Sequence, residues 1–205
     1  MKILQELMSY NRKIDNLHTH VLGKKYVYFD EIDSTQKEIW RRIEQNNIYN
    51  GTLIRAEKQT AGIGTHGRRW ITEEKNIAFS FYLELNCNIA KIDGLTTQIA
   101  QMIIDLLKEM YNLDLKIKLP NDIYFNGKKL GGILTETKVK GSLVKFIVVG
   151  IGINNEQTNF GKELENIATS IKKEFGIVIN VESFIADFCN RFEKIIFERI
   201  EDNKL

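Results

Sequence analysis

A chain of 205 residues, 43% hydrophobic and 27% charged, has the length of a single domain and enough apolar residues for a core without a metal or disulfide staple. Its 29 lysines and arginines stand against 27 aspartates and glutamates, and the net charge of +2 excludes a dominant electrostatic partner such as bulk nucleic acid. Cys87 and Cys189 form neither a disulfide framework nor a zinc site, and no apolar run suits a secretory signal or a membrane span, so a soluble, cytoplasmic protein without a membrane partner is expected.

In chain order, residues 1–25 read as a short polar helix and a loop, and Tyr26 to Phe29 as a strand. Asp33 and Ser34 are suited to cap a helix whose apolar face is Ile39, Trp40 and Ile43, ending near Asn46. Leu53 to Glu57 reads as a strand leading into a glycine-rich loop, and Asn76 to Leu85 as another strand. From Asp93 to Tyr111, Leu95, Ile99, Met102, Ile103, Leu106 and Met110 recur at helical spacing. Gly132–Val139 and Leu143–Ile153 are strand-like and joined by Lys140-Gly141-Ser142, a hairpin signal. Asn180 opens a last helix carrying Phe184, Ile185, Phe188, Phe192, Ile195 and Ile196. Strands in runs with helices between them predict an α+β fold with a mixed sheet flanked by helices.

Four segments carry chemistry. In Ala56–Trp70, Gly62, Gly64 and Gly67 follow a strand, where positive φ would bring bare N–H groups to an anion. Arg68 and Arg69 add donors for phosphate or carboxylate, and Trp70 offers a stacking face. A surface turn with a core tryptophan would look the same. In Lys118–Leu134, Pro120 is the sole proline of the chain and restricts Leu119, which sets Lys118 relative to Asn121 and Asp122. Asn126-Gly127 is a tight turn leading to Lys128, Lys129 and the close-packing pair Gly131-Gly132; an ordinary hairpin with exposed lysines fits equally. In Gly150–Asn155, glycines alternate with isoleucines, a sign of a bulge or of close approach by a ligand or backbone. The fourth segment, Asp33-Ser34-Thr35-Gln36, is a helix cap whose hydroxyls also suit a small polar ligand.

Together, in this order, the segments resemble the biotin protein ligases. That family has a D-S-T-N element, a G-R-G-R-x-G-R-x-W loop, a K-W-P-N-D strand, a K-L-x-G-I-L turn and a G-x-G-I-N strand. Here these are DSTQ at 33–36, GIGTHGRRW at 62–70, KLPND at 118–122, KLGGIL at 129–134 and GIGIN at 150–154. The resemblance spans Tyr26 to Phe192. It implies a mainly antiparallel sheet like that of class II aminoacyl-tRNA synthetases, with residues 1–25 as an extension and 26–205 as the catalytic domain. It also implies ATP-dependent conversion of biotin to biotinyl-5′-AMP, then transfer to a lysine of a biotin carboxyl carrier protein.

By the same resemblance, Lys118, Arg68 and Asp122 carry the chemistry. Ser34, Thr35, Gln36 and Gln59 hold the biotin head, with Gly62, Ile63, Gly64, Thr65, Lys118, Gly131 and Gly132 around it. Gly67, Arg68, Trp70, Asn121, Lys129 and Asn154 fall to the nucleotide, and Asp122 is the candidate for Mg²⁺. Ile63 and Thr65 stand where the family has loop arginines. Losing a charge-assisted hydrogen bond at Thr65 costs roughly 1.5–3 kcal/mol, which implies a more weakly held adenylate. His66 is expected to face solvent. The 32 residues before Asp33 are too few for the DNA-binding domain of repressor-type ligases, and no C-terminal β domain is expected. A lipoate or octanoate transferase and a non-catalytic biotin-binding regulator are the alternatives. Edge strands leave a homodimer open.

Overall fold

The protein is described from a computed structural model over residues 13–72 and 75–201. The polar helix expected at the start falls largely on residues 1–12, outside the described residues, and residues 13–24 form turns and loop.

Among the described residues, eight strands form one sheet: β1 (Lys25–Ile32), β2 (Thr52–Ile63), β3 (Arg69–Thr72), β4 (Ile77–Asn88), β5 (Lys116–Lys118), β6 (Asp122–Phe125), β7 (Lys128–Lys140) and β8 (Leu143–Ile153). Their order is β1-β2-β4-β8-β7-β6-β5, with β3 paired to β2 off this path. Only β1 and β2 run parallel, and the helix that connects them, α1 (Thr35–Glu44), is the crossover a parallel pair requires. The other pairings are antiparallel, as a mixed, mainly antiparallel sheet should be. Four more helices follow among the described residues: α2 (Leu95–Tyr111), α3 (Gly161–Leu164), α4 (Ile171–Phe175) and α5 (Val181–Glu201).

Local chemistry explains the boundaries. Ser34 sits in the extended region and its hydroxyl accepts from the Lys37 N–H at 3.4 Å, opening α1. The Asn180 side chain does the same for the Ser183 N–H at 3.0 Å, opening α5. Between β6 and β7, Asn126 and Gly127 both adopt positive φ, the demand of a type I′ hairpin, so Phe125 pairs with Lys128.

Strand alternation divides the core. On β8, Ile147, Val149, Ile151 and Ile153 face the larger cluster, in which Phe79 and Phe81 of β4 meet Phe188 and Phe192 of α5 at ring separations of 5.1–6.0 Å. Val148 faces the other side, where Ile39 of α1 packs with Val27, Ile54 and Tyr82. Gly150 and Gly152 continue the Val148 row beyond the cover of α1. On α5, the buried carboxylate of Glu193 accepts the backbone N–H groups of His20, Val21 and Leu22, the last two at 2.9 and 2.6 Å. The segment before β1 is thereby pinned to the last helix.

Candidate functional site

Where the Val148 row loses its side chains, the sheet gains a cleft. Gly152 stands opposite Gly132 of β7, and Gly150 opposite Ser80 of β4. The space above this floor is bounded by the first turn of α1, the loop before β3, and Leu134. The glycines are there for close approach. A Cβ at Gly150 would stand 2.7 Å from Gln36 Oε1, and one at Gly152 would stand 2.5–2.8 Å from the Trp70 indole.

One end of the cleft is lined by two sets of polar contacts. The Thr35 N–H donates to Gln59 Oε1 at 2.8 Å, while Gln59 Nε2 donates to the Thr72 hydroxyl at 2.8 Å, so the Gln59 amide has one orientation. The Thr35 and Ser80 hydroxyls are 2.8 Å apart. Gln36 lines the cleft; its Nε2 donates to a Glu136 carboxylate oxygen at 2.7 Å, which leaves its Oε1 against the Gly150 floor. That oxygen is buried, in a residue only 2% exposed, and has no hydrogen-bond partner. A buried acceptor left this way costs about 1–3 kcal/mol, so a ligand N–H has something to repay. Ser34 lines the same end but spends its hydroxyl on the cap. Asp33 lies behind: the Arg41 guanidinium grips it through two bonds of 2.7 and 2.8 Å and holds its carboxyl down at about 2.

The other end opens onto a second depression bordered by Arg68, Asn154 and Phe160. Trp70 and Lys129 border both spaces. Lys129 Nζ lies 5.5 Å over the Trp70 ring and 2.7 Å from Asp122 Oδ1, an ion pair whose angles do not make a hydrogen bond. Gly132 leaves room for it, since a Cβ there would be 3.3 Å from Nζ. Asn121 lines the cleft while its amide donates to the Ile133 carbonyl at 3.0 Å; Asn154 donates to the Thr169 carbonyl at 2.9 Å.

The glycine loop is used differently from the expectation. Only Gly67 of its three glycines takes positive φ, joined by His66 at φ 58 in a 3-10 turn over Thr65–Gly67. Gly62 instead allows β2 to pass β3, because a Cβ there would meet the Trp70 carbonyl at 2.5 Å. Ile63, Gly64 and Thr65 line the cleft. His66 is exposed, as anticipated. Arg68 is exposed too and folds back, bonding the Thr65 carbonyl and hydroxyl at 3.2 and 2.9 Å.

Lys118 lines neither space. Its exposed ammonium rests 4.9 Å from the centre of the Tyr124 ring and 3.5 Å from the Tyr124 hydroxyl. Register nevertheless places it on the cleft face: Lys118 pairs with Asp122, Asp122 with Gly132, and Gly132 with Gly152. Three strand spacings, roughly 14 Å, separate the ends of that row. Gly131 supports the ladder from the opposite side, where a Cβ would be 3.0 Å from the Gly152 carbonyl. Sequence reasoning missed Ser80 and Glu136. For Ser80 the only signal was a polar residue inside the apolar run 77–83; Glu136, between Thr135 and Thr137 on β7, gave none.

Among the described residues, no three His, Cys, Asp or Glu side chains converge as metal ligands, and no helix is long and apolar enough to cross a membrane.

A family model described as the biotin/lipoate A/B protein ligase family matches residues 28–154. The bifunctional ligase/repressor BirA of Bacillus subtilis (strain 168) is 39% identical over 181 residues, covering 87% of this chain and 55% of its own. The biotin–[acetyl-CoA-carboxylase] ligase of Paracoccus denitrificans is 31% identical over 158 residues, 75% of this chain and 65% of its own. Among solved structures, the biotin protein ligase from Aquifex aeolicus in complex with biotin and ATP aligns with a TM-score of 0.71 at 28% identity, over 87% of this chain and 72% of that one. The chain spans about half the length of the BirA relative and about two thirds of the Paracoccus ligase.

Proposed function

The chain belongs to the biotin/lipoate A/B protein ligase family, and from that premise we propose that it activates biotin with ATP and transfers it to a lysine of a biotin carboxyl carrier protein. The observation that carries the choice of biotin is the unpartnered, buried Gln36 Oε1 against the Gly150 floor of the cleft. Biotin's cyclic urea brings two N–H donors and one carbonyl to a site that offers this acceptor beside the Thr35 and Ser80 hydroxyls. Lipoate and octanoate bring no N–H, and would leave the oxygen desolvated and unpaired. Similarity to a biotin ligase solved with biotin and ATP supports the same choice.

In this reading the biotin carboxylate oxygen bonds to the α-phosphorus of ATP as the bond to the β-phosphate bridge breaks and pyrophosphate leaves. Charge accumulates on the phosphoryl oxygens, and fixed cations lower the barrier by offsetting it. Lys129 is the ammonium bordering both compartments, with Asp122 as its anchor. Lys118 reaches the same row by turning away from Tyr124, and Arg68 by releasing Thr65. Trp70 and Asn154 face the adenine side. Mg²⁺ would be an ion carried on the triphosphate, with Asp122 beside Lys129 and Glu163 on the second depression as carboxylates near it. In the second step the acceptor amine, after losing its proton, bonds to the acyl carbon and AMP departs. We place the catalytic domain from residue 26 onward and the reaction in the cytoplasm.

Biotin-dependent exchange of pyrophosphate into ATP tests the proposal. Exchange that requires biotin and is not supported by lipoate is the expected result. Biotin binding without exchange would make the protein a regulator, and lipoate-dependent exchange would reverse the substrate.

A further inference from the structure

Gln36 can present an acceptor to the cleft only while its amide is prevented from turning over. In a free glutamine the two orientations are close in energy, and a turned amide would offer N–H where the ligand also has N–H. The side chain that decides is Glu136. Its carboxylate accepts Gln36 Nε2 at 2.7 Å, and the same oxygen accepts the Trp40 indole N–H at 2.7 Å. A second restraint is weak: Gln36 Nε2 reaches the Val148 carbonyl at 3.4 Å. A carboxylate is an acceptor only, so it admits one amide orientation. Trp40 adds a donor from α1, and its ring packs on Phe146 of β8 at 5.8 Å, which fixes where the carboxylate sits. The arrangement joins one helix and two strands behind the ligand without touching it. Gly150 completes it, since a side chain there would collide with the oxygen being presented.

We propose that Glu136 is a positioning residue that sets the hydrogen-bond polarity of the cleft: it holds Gln36 Oε1 toward the ligand and so selects a cyclic urea N–H over a ligand without a donor. The inference rests on the biotin-ligase reading and adds to it a residue that never contacts biotin. Replacing Glu136 by leucine frees the amide to turn a donor toward a donor, against only the weak Val148 restraint.

The test measures pyrophosphate exchange for wild type, Glu136→Leu and Glu136→Gln, with biotin and with analogues methylated at one or the other ureido nitrogen. In wild type, one methylated analogue binds at least tenfold more weakly than biotin, as expected for the loss of a hydrogen bond to a buried acceptor. Glu136→Leu raises KM for biotin by about tenfold, leaves KM for ATP and kcat at saturating biotin within about twofold, and shrinks the penalty on that analogue. Glu136→Gln, whose amide oxygen still accepts both donors, restores KM for biotin to within about threefold of wild type. An unchanged KM for biotin in Glu136→Leu, or equal losses in the biotin and ATP parameters, would overturn the proposal, the latter by showing a general structural role. If Glu136→Leu does not fold, the Glu136→Gln protein and the wild-type analogue series decide: equal binding of biotin and both analogues overturns it. A wild type with no biotin-dependent exchange sinks the ligase reading instead, so the two failures are distinguishable.

Discussion

At the α1 end of the cleft, Thr35, Gln59, Thr72 and Ser80 are bonded to one another and Gln36 is bonded to Glu136, which leaves Gln36 Oε1 without a partner. At the loop end, the cations have partners that an anion must displace: Arg68 holds Thr65, Lys118 lies on Tyr124, and Lys129 faces Asp122. The first end is set on strands and a helix start, the second on an exposed 3-10 turn and an edge strand. Recognition at the first end is prepaid in folding, whereas binding at the second must exchange old contacts for new ones. A small neutral head group suits the former. A phosphate chain, which brings enough charge to win the exchange, suits the latter.

The sharpest way to break this comparison is at the lysines. Lys129→Ala is expected to lower pyrophosphate exchange by about 10²–10³, the scale of losing one preorganised charge donor, with direct calorimetric binding of biotin within about threefold of wild type. Lys118→Ala is expected to cost less. If its loss is the greater one, ligands pull Lys118 from Tyr124 and rebuild the open end around it.

The two floor glycines separate the ends more finely. Gly150→Ala drives a methyl against Gln36 Oε1 and should raise KM for biotin by roughly tenfold. Gly152→Ala drives one against the Trp70 indole and should raise KM for ATP by a similar factor. Steady-state kinetics on both, two residues apart on one strand, would show equal losses in both constants if the ends were not independent.

A smaller effect is expected at Thr65. Thr65→Arg adds a guanidinium to the cleft lining and should slow biotinyl-adenylate dissociation by about one decade, read by stopped-flow release. An unchanged rate would mean the loop end does not limit retention.

The smallest effect concerns Asp33. Its carboxyl is held below the ordinary value near 3.9 by Arg41, so its contribution to stability is fully present above about pH 4 and fades as pH falls toward 2. The thermal midpoints of wild type and Asp33→Asn should therefore converge over that window, and a constant gap down to about pH 2 would contradict the pairing.

Much of this architecture was legible in the sequence because periodicity reports on burial. α1, α2, α5, β4 and β8 each carry an apolar repeat that matches a buried face. β2 was read too short: it continues to Ile63 because β3, a four-residue strand too brief to show alternation, returns to pair with it. The site residues were legible through their order along the chain, but their geometry was not. No local rule tells whether the Lys118 ammonium turns to Tyr124 or to the cleft, and Glu136 and Ser80 matter through neighbours 100 and 45 residues away in sequence.

The three N–H groups held by Glu193 have a temporal consequence. His20 and its acceptor are 173 residues apart, so during synthesis at roughly 5–20 residues per second the segment emerges on the order of ten to thirty seconds before the carboxylate that will hold it. Until then the core cluster that Ile14 and Leu22 share with α5 lacks its α5 side. α5 is thus the latch that closes over a segment made long before it, and a ribosome stalled before residue 193 would display that segment unlatched.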